Sequence, residues 1–311
     1  MRRFFGLVIA LFSLSCSAGQ KADPDFDTSV AQPAYRDTGP TVLIDEAHKN
    51  FHTAGGRYKP FANLIANDGY FVFRNKKKFS KEMLTYDILI ISNARGMDEK
   101  YKAAFSEKEC EAVKNWVEQG GALLLTADHH PMGGAAEGLA KQFGVGMSNS
   151  YGVEDSLNCD TGSTDKSQLV FSRENGLLTD CPITQGRDST ERIGRVVSFT
   201  GQSLTVPENC TPFLLLSKTA NEMLVDSIWT TGKLFWANTF TQFTDPLPAV
   251  GTTQGVAMKS GRGRVVIMGE AAMLTAQIND NDGKPFGMNV PGNDDKQLAL
   301  NIMHWLSGLL E

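Results

Sequence analysis

The stretch Gly120–His130, GGALLLTADHH, restricts the fold more than any other part of the chain, because a short apolar run ends abruptly in an acid and two imidazoles. A helix leads into it: Ser106 followed three residues later by Glu109 fits a capping box, and Val113, Trp116 and Val117 mark one apolar face. Gly120 and Gly121 stop that helix, since glycine takes a left-handed turn at no steric cost. Ala122 to Thr126 then reads as a parallel strand buried on both faces, with Asp128, His129 and His130 beyond its C-terminal end. In open α/β sheets ligands bind outside the carboxyl ends of the strands, so this trio is a candidate site by position alone.

The same logic recurs upstream. TVLI, residues 41 to 44, is followed by Asp45, Glu46 and His48, a second buried strand ending in ionisable groups. Phe61, Leu64 and Ile65 fall at helical spacing, a strand follows at Tyr70–Phe73, and Ile88–Ser92 makes another before the polar turn Asn93–Gly96. Strands alternating with helices at this spacing predict an α/β, doubly wound, mostly parallel sheet. Ala135–Phe143 reads as a helix, and the glycine pair before it, Gly133 and Gly134, could expose amides to an anion, although turn chemistry explains it as well. From Gly146 to about Gly263 the pattern loosens into a loop-rich insertion, with strand-like runs at Val196–Phe199, Phe213–Leu216 and Leu234–Trp236. Gln254–Met258 and Val265–Met268 flank a turn and predict an added β-hairpin, whose second strand ends in Glu270. A closing helix over Asp294–Leu309, capped by Asn293, carries His304 as a packing residue.

The first sixteen residues have two arginines, an apolar run from Phe4 to Leu14 and then small residues, which is the order of an export signal and too short to span a bilayer. Leu11–Cys16 resembles a bacterial lipobox, although Ser13 stands where that pattern usually has leucine. The resemblance implies lipidation at Cys16, and Ser17 after it suits the outer membrane. The expected location is therefore the cell envelope, lipid-anchored on the periplasmic side of the outer membrane, with a soluble periplasmic protein cleaved near Ala18 as the alternative. Residues 17–40 are polar, contain Pro24, Pro33 and Pro40, and predict a flexible tether ahead of one domain over 41–311. The formal charge is −5 and becomes more negative once Arg2 and Arg3 are removed. No basic stripe interleaves with aromatics, so nucleic acid is not an expected partner, and the one cationic block, RNKKK at Arg74–Lys78, reads as a solvated loop. Cys110 falls on the apolar face of its helix as a buried thiol, and one disulfide is expected among Cys159, Cys181 and Cys210.

Four of the five histidines lie in two short motifs, DEAHKNFH and ADHH. Imidazole and carboxylate serve both as general acids and bases and as ligands for zinc, manganese or iron. The candidate catalytic residues are thus Asp45, Glu46, His48, Asp128 and His129, and the candidate metal ligands are His48, His52, Asp128 and His130. One shared pocket is expected, with Glu270 at its margin. The competing reading is a polar plug in which these groups satisfy one another.

The strand ending in DEAH, the strand in YDILIIS, the segment SEKECEAVKNWVEQGGALLLTADHH, and GRGRVVIMGEAAM with its terminal NIMHWL helix together resemble the class I glutamine amidotransferase-like superfamily, and within it the ThuA-like branch and uncharacterised exported bacterial proteins. The resemblance spans most of residues 41–311. It implies a flavodoxin-like sheet and places a cysteine nucleophile on the turn after the strand that here is Ala122–Thr126. Asp128 and His129 occupy that region without a cysteine, so the thiol mechanism does not carry over, and no Gly-x-Ser-x-Gly elbow supplies a serine. Two function classes stay open: a hydrolase acting on a small polar or carbohydrate substrate, and a non-catalytic envelope module that binds a ligand or docks a partner.

Overall fold

In the computed structural model, residues 19–95, 103–156, 158, 168–231 and 238–311 are described. Cys16, Cys159, Gly96 and the strand expected at Leu234–Trp236 lie outside these residues. The protein is mixed α/β, and its largest sheet has nine strands. Five of them are parallel: β1 (Thr41–Asp45), β2 (Phe71–Asn75), β3 (Ile88–Ser92), β4 (Ala122–Thr126) and, after β5 (Thr253–Ser260), β6 (Gly263–Met268). Across the sheet they run β2, β1, β3, β4, β6, and β5 then pairs antiparallel to β6 to begin the remainder. The expected hairpin is this β5–β6 pair, closed between Ser260 and Gly263 with Gly261 at φ +58°.

Alternation along each strand feeds two cores. Val42, Ile44, Ile88, Ile90 and Leu124 face one side, with Phe61, Leu64 and Ile65 of α1 (Lys59–Asn67) and Leu298, Ile302 and Met303 of the C-terminal helix (Asp295–Leu306). Leu43, Leu89, Ile91, Leu123 and Leu125 face the other, with Val113 and Val117 of α2 (Glu107–Glu118) and Leu139 of α3 (Met132–Lys141). Helices therefore cover both faces, which is why these strands read as unbroken apolar runs and not as polar–apolar alternation.

The segment expected as a tether is laid on the domain from residue 19 onward. Gln20–Ala22 pairs antiparallel with Gln277–Asn279, and Phe26, Val30 and Tyr35 pack against the first core. Asp68 fixes the segment, its carboxylate accepting from the Ala34 amide at 2.7 Å and its carbonyl from Tyr35. Three apolar side chains without a period are enough to order a polar stretch when a neighbouring carboxylate satisfies its backbone. The C-terminal helix runs over Asp295–Leu306, shorter at both ends than expected, and its N-cap is Asp294 without a side-chain cap bond and not Asn293, whose Oδ1 accepts from the Asp295 amide at 3.2 Å from just outside the cap. His304 is fully buried, and its Nε2 lies 2.8 Å from Asp68 Oδ2, so it is hydrogen-bonded as well as packed.

Candidate functional site

The capping box of α2 forms as its sequence requires: Ser106 Oγ accepts from the Glu109 amide, and Glu109 Oε2 accepts from the Ser106 amide at 3.0 Å. Its other carboxylate oxygen has a second task. Glu109 Oε1 lies 2.9 Å from His48 Nε2, while His48 Nδ1 lies 2.8 Å from Asp45 Oδ2. Asn75 donates to the remaining Asp45 oxygen at 2.8 Å, and the rings of Phe79 and Phe105 close over the imidazole at 4.6 and 4.8 Å. Burial works against a charge on His48, but hydrogen bonds and charge from Asp45 and Glu109 outweigh it and raise its pKa. Burial likewise opposes the Glu109 charge, yet its bonds to Ser106 and His48 bring its pKa down to about 2. Asp45–His48–Glu109 is a buried, satisfied ion triad.

Glu46 turns elsewhere. It accepts from Arg74 Nε at 2.8 Å, from Lys76 and from the Ala54 amide, and these cations hold its carboxyl below the usual range against the cost of burial. His52 is buried and stacked on Tyr58, with Nδ1 3.0 Å from Ser92 Oγ. Burial, helped by the charge of Arg57, pushes it down to about 3, so it stays neutral. Ser92 accepts in turn from Thr126 Oγ1 at 2.8 Å, and Tyr58 hydroxyl donates to the Ala271 carbonyl at 3.2 Å. This seam ties the ends of β3, β4 and β6 together.

Asp128 and His129 sit apart from both networks and are half-buried. Asp128 is fixed through its backbone: its amide donates to Asn93 Oδ1 at 2.8 Å, and its carbonyl accepts from Gln202 Nε2 at 2.9 Å. One carboxylate oxygen accepts from the His129 amide at 2.8 Å, and among the described residues the other has no hydrogen bond. His129 Nδ1 lies 2.8 Å from the His130 carbonyl, which can only accept. Nδ1 therefore carries a proton, and in the neutral ring Nε2 keeps its lone pair. Beside them the rings of His129, Tyr151 and Phe243 form a chain, 5.9 and 4.9 Å between centroids, and His130 adds to it at 5.8 Å from Phe243. His130 is buried, which pushes it down to about 4.

Glu270 is fully buried at the end of β6 and accepts from the amides of Ala272 and Met273 at 2.7 and 2.8 Å. Burial and then the nearby Asp128 charge raise its pKa well above the carboxylate range. A buried acid whose pKa is raised thus stands near a half-exposed carboxylate.

The expected pocket is therefore divided. Asp128, His129 and Glu270 come together, whereas Asp45, His48 and Glu46 spend their polar atoms on other partners. The metal set does not assemble either: among the described residues no three His, Cys, Asp or Glu side chains are arranged to hold a metal ion, because carboxylates occupy both nitrogens of His48 and a hydroxyl occupies His52 Nδ1. Of the two glycine amides at the start of α3, that of Gly134 is already committed to Asn149 Oδ1 at 2.8 Å. Cys110 is a buried thiol pushed up to about 11 by burial and then by Glu109. Cys181 and Cys210 are also thiols, so they do not supply the expected disulfide with each other.

Asn149, Thr200 and Gln202 carried no sequence signal, and the polar turn expected at Asn93 did not disclose its part in the site. Asn93, Asn149 and Thr200 have positive φ of 46°, 50° and 70°. Asn93 holds the Asp128 amide, Asn149 donates its own amide to Gln202 at 2.8 Å, and the Thr200 carbonyl accepts from Gln254 at 2.8 Å. Non-glycine residues in this region gather at functional sites, and here they surround the end of β4. A positive φ at asparagine has a local cause that sequence could suggest; at threonine it does not.

No protein-family model matches the chain, and no curated protein matches it. Among solved structures, the mmIFT52 N-terminal domain superposes with a TM-score of 0.57 at 14% identity, covering 86% of this chain and 97% of that one. That likeness is one of fold. A protein described as ThuA-like from Bacteroides uniformis gives 0.45 at 13% identity over 89% and 93% of the two chains, and cytoplasmic protein STM3548 from Salmonella typhimurium gives 0.41 at 10% over 86% and 99%.

Proposed function

We propose that this chain is an exported, lipid-anchored bacterial envelope protein whose domain hydrolyses a small polar substrate, carbohydrate included, at Asp128 and His129. One observation carries the reading: of the strand-end acids and imidazoles, these two keep uncommitted polar atoms while half-exposed. His129 Nε2 accepts a proton from water as general base, Asp128 orients substrate or the imidazolium that forms, and Glu270 lies buried behind them with its carboxyl pKa raised by burial and by Asp128. The ring chain of His129, Tyr151 and Phe243 gives a sugar a face to stack on. The fold component is a flavodoxin-like, doubly wound member of the class I glutamine amidotransferase-like superfamily, and the strand order β2, β1, β3, β4, β6 with helices on both faces supports it. With Asp128 in the turn where that superfamily holds its cysteine, no thiol acyl-enzyme forms there.

The second reading, a site that binds without turnover, draws support from the full burial of Glu270, which keeps its carboxyl from a substrate. A panel of nitrophenyl glycosides and esters, with saccharide calorimetry in parallel, separates the two. Hydrolysis lost about a hundredfold or more in Asp128→Asn and His129→Ala supports the enzyme. Saccharide binding without turnover, lost in the same variants, supports the binding module. Turnover or binding indifferent to both substitutions rejects the site. The anchor is tested by Cys16→Ser, which releases the protein from the membrane fraction; a variant that stays in the pellet contradicts lipidation at that residue.

A further inference from the structure

The crossover from β2 to β3 is unlike the others. α1 connects β1 to β2 and α2 connects β3 to β4, but residues 76–87 pass from β2 to β3 without a helix. They lie on the α2 side of the sheet, where Phe79 and Leu84 enter the core. This cover reaches β1 and β3 and leaves β2, the edge strand, only partly covered. Phe71 and Phe73 point to the same side as Asn75, whose side chain meets Asp45, and they are 50% and 45% exposed. Val72, on the opposite side, packs on the first core. Half-buried Tyr86 borders the bare strip, its ring 5.3 Å from that of Phe73. The strip is lengthened at the C-terminal end of β2 by exposed Lys76, Lys77, Lys78 and Lys81, of which Lys76 is paired with Glu46. In a chain of net charge −5 this is a local reversal of sign.

We propose that this bare strip docks an amphipathic helix of another protein, whose apolar stripe covers Phe71, Phe73 and Tyr86 and whose acidic flank faces Lys77, Lys78 and Lys81. The dimensions suit it: five strand residues extend about 17 Å, which three helical turns span. A helix laid there completes the layer that the crossover leaves unfinished, in the groove mode in which apolar anchors recur at helical spacing. The lysines supply the sign of the partner and speed its approach.

The test places the photo-crosslinking residue p-benzoylphenylalanine at position 71 of the full chain in its own cell, maps the crosslinked segment, and synthesises it as a peptide. The expected result is an acidic segment of another protein with apolar residues at helical spacing. That peptide should bind the wild-type chain and lose at least tenfold in affinity both for Phe71→Ser/Phe73→Ser and for Lys77→Glu/Lys78→Glu, with melting temperatures retained. Asp128→Asn should bind it unchanged, which separates this surface from the strand-end site. Crosslinks to lipid, to a second copy of the chain or to nothing overturn the proposal, as does a peptide whose affinity ignores both double substitutions.

Discussion

His48 and His129 follow similar strand ends, and their surroundings assign them opposite work. The His48 ring lies between two carboxylates and two phenyl rings, so removing it leaves Asp45 and Glu109 buried and unpaired. His48→Ala should therefore cost about 3–5 kcal/mol in chemical denaturation. The sign of the pH dependence follows from the raised pKa. Folding stability from His48 is complete below its ordinary value of 6.5 and is lost as pH rises through the higher folded value. Wild type should consequently lose melting temperature between neutral and alkaline pH, and His48→Gln should lose less over the same range. Glu109 and His52 act on the acid side. The stability Glu109 contributes is present above 4.5 and lost as pH falls toward about 2, and buried neutral His52 favours unfolding as pH drops below 6.5 toward about 3. Sequence reading found both histidines but could not tell them apart, because the group that encloses His48 is Glu109, 61 residues away and visible only as a helix cap.

At the scale of elements, α2 was legible because its start and stop are local: a capping box, an apolar stripe and a glycine pair. Its cap also positions Glu109 for His48. Ser106→Ala should accordingly exceed the roughly 1 kcal/mol of an ordinary lost cap, and the excess should disappear in a His48→Ala background. The turn at Thr200–Gln202 was not legible, since nothing in its composition marks two successive positive-φ residues. Gly201 has φ +65°, and a Cβ there would lie 2.7 Å from the Gly269 carbonyl and 2.9 Å from Glu270 Cβ. Gly201→Ala should cost about 1–3 kcal/mol and disturb the Asp128–Glu270 pair together with the fold, measurable as a melting deficit. The segment from residue 19 to 40 misled for a related reason. Its order comes from long-range partners, Asp68 and the strand Ala276–Asn279, and not from any period of its own.

Across the whole molecule, the sequence specifies a sheet with two covered faces, and strand ends collect ionisable groups along one edge because parallel strands point the same way. That much was readable from repeated apolar runs ending in acids and imidazoles. How the edge divides was not, because the division depends on which loops fold over it: Phe79 and Phe105 close the β1 end, while the β4 end keeps Asp128 and His129 half-exposed. The claim that one end is scaffold and the other is site is tested most directly by urea denaturation of wild type, His48→Ala and His129→Ala at neutral pH. The predicted result is a loss of several kcal/mol for His48→Ala and a change within about 1 kcal/mol for His129→Ala, at equal m-values. Equal losses in the two variants, or a larger loss in His129→Ala, would contradict the division.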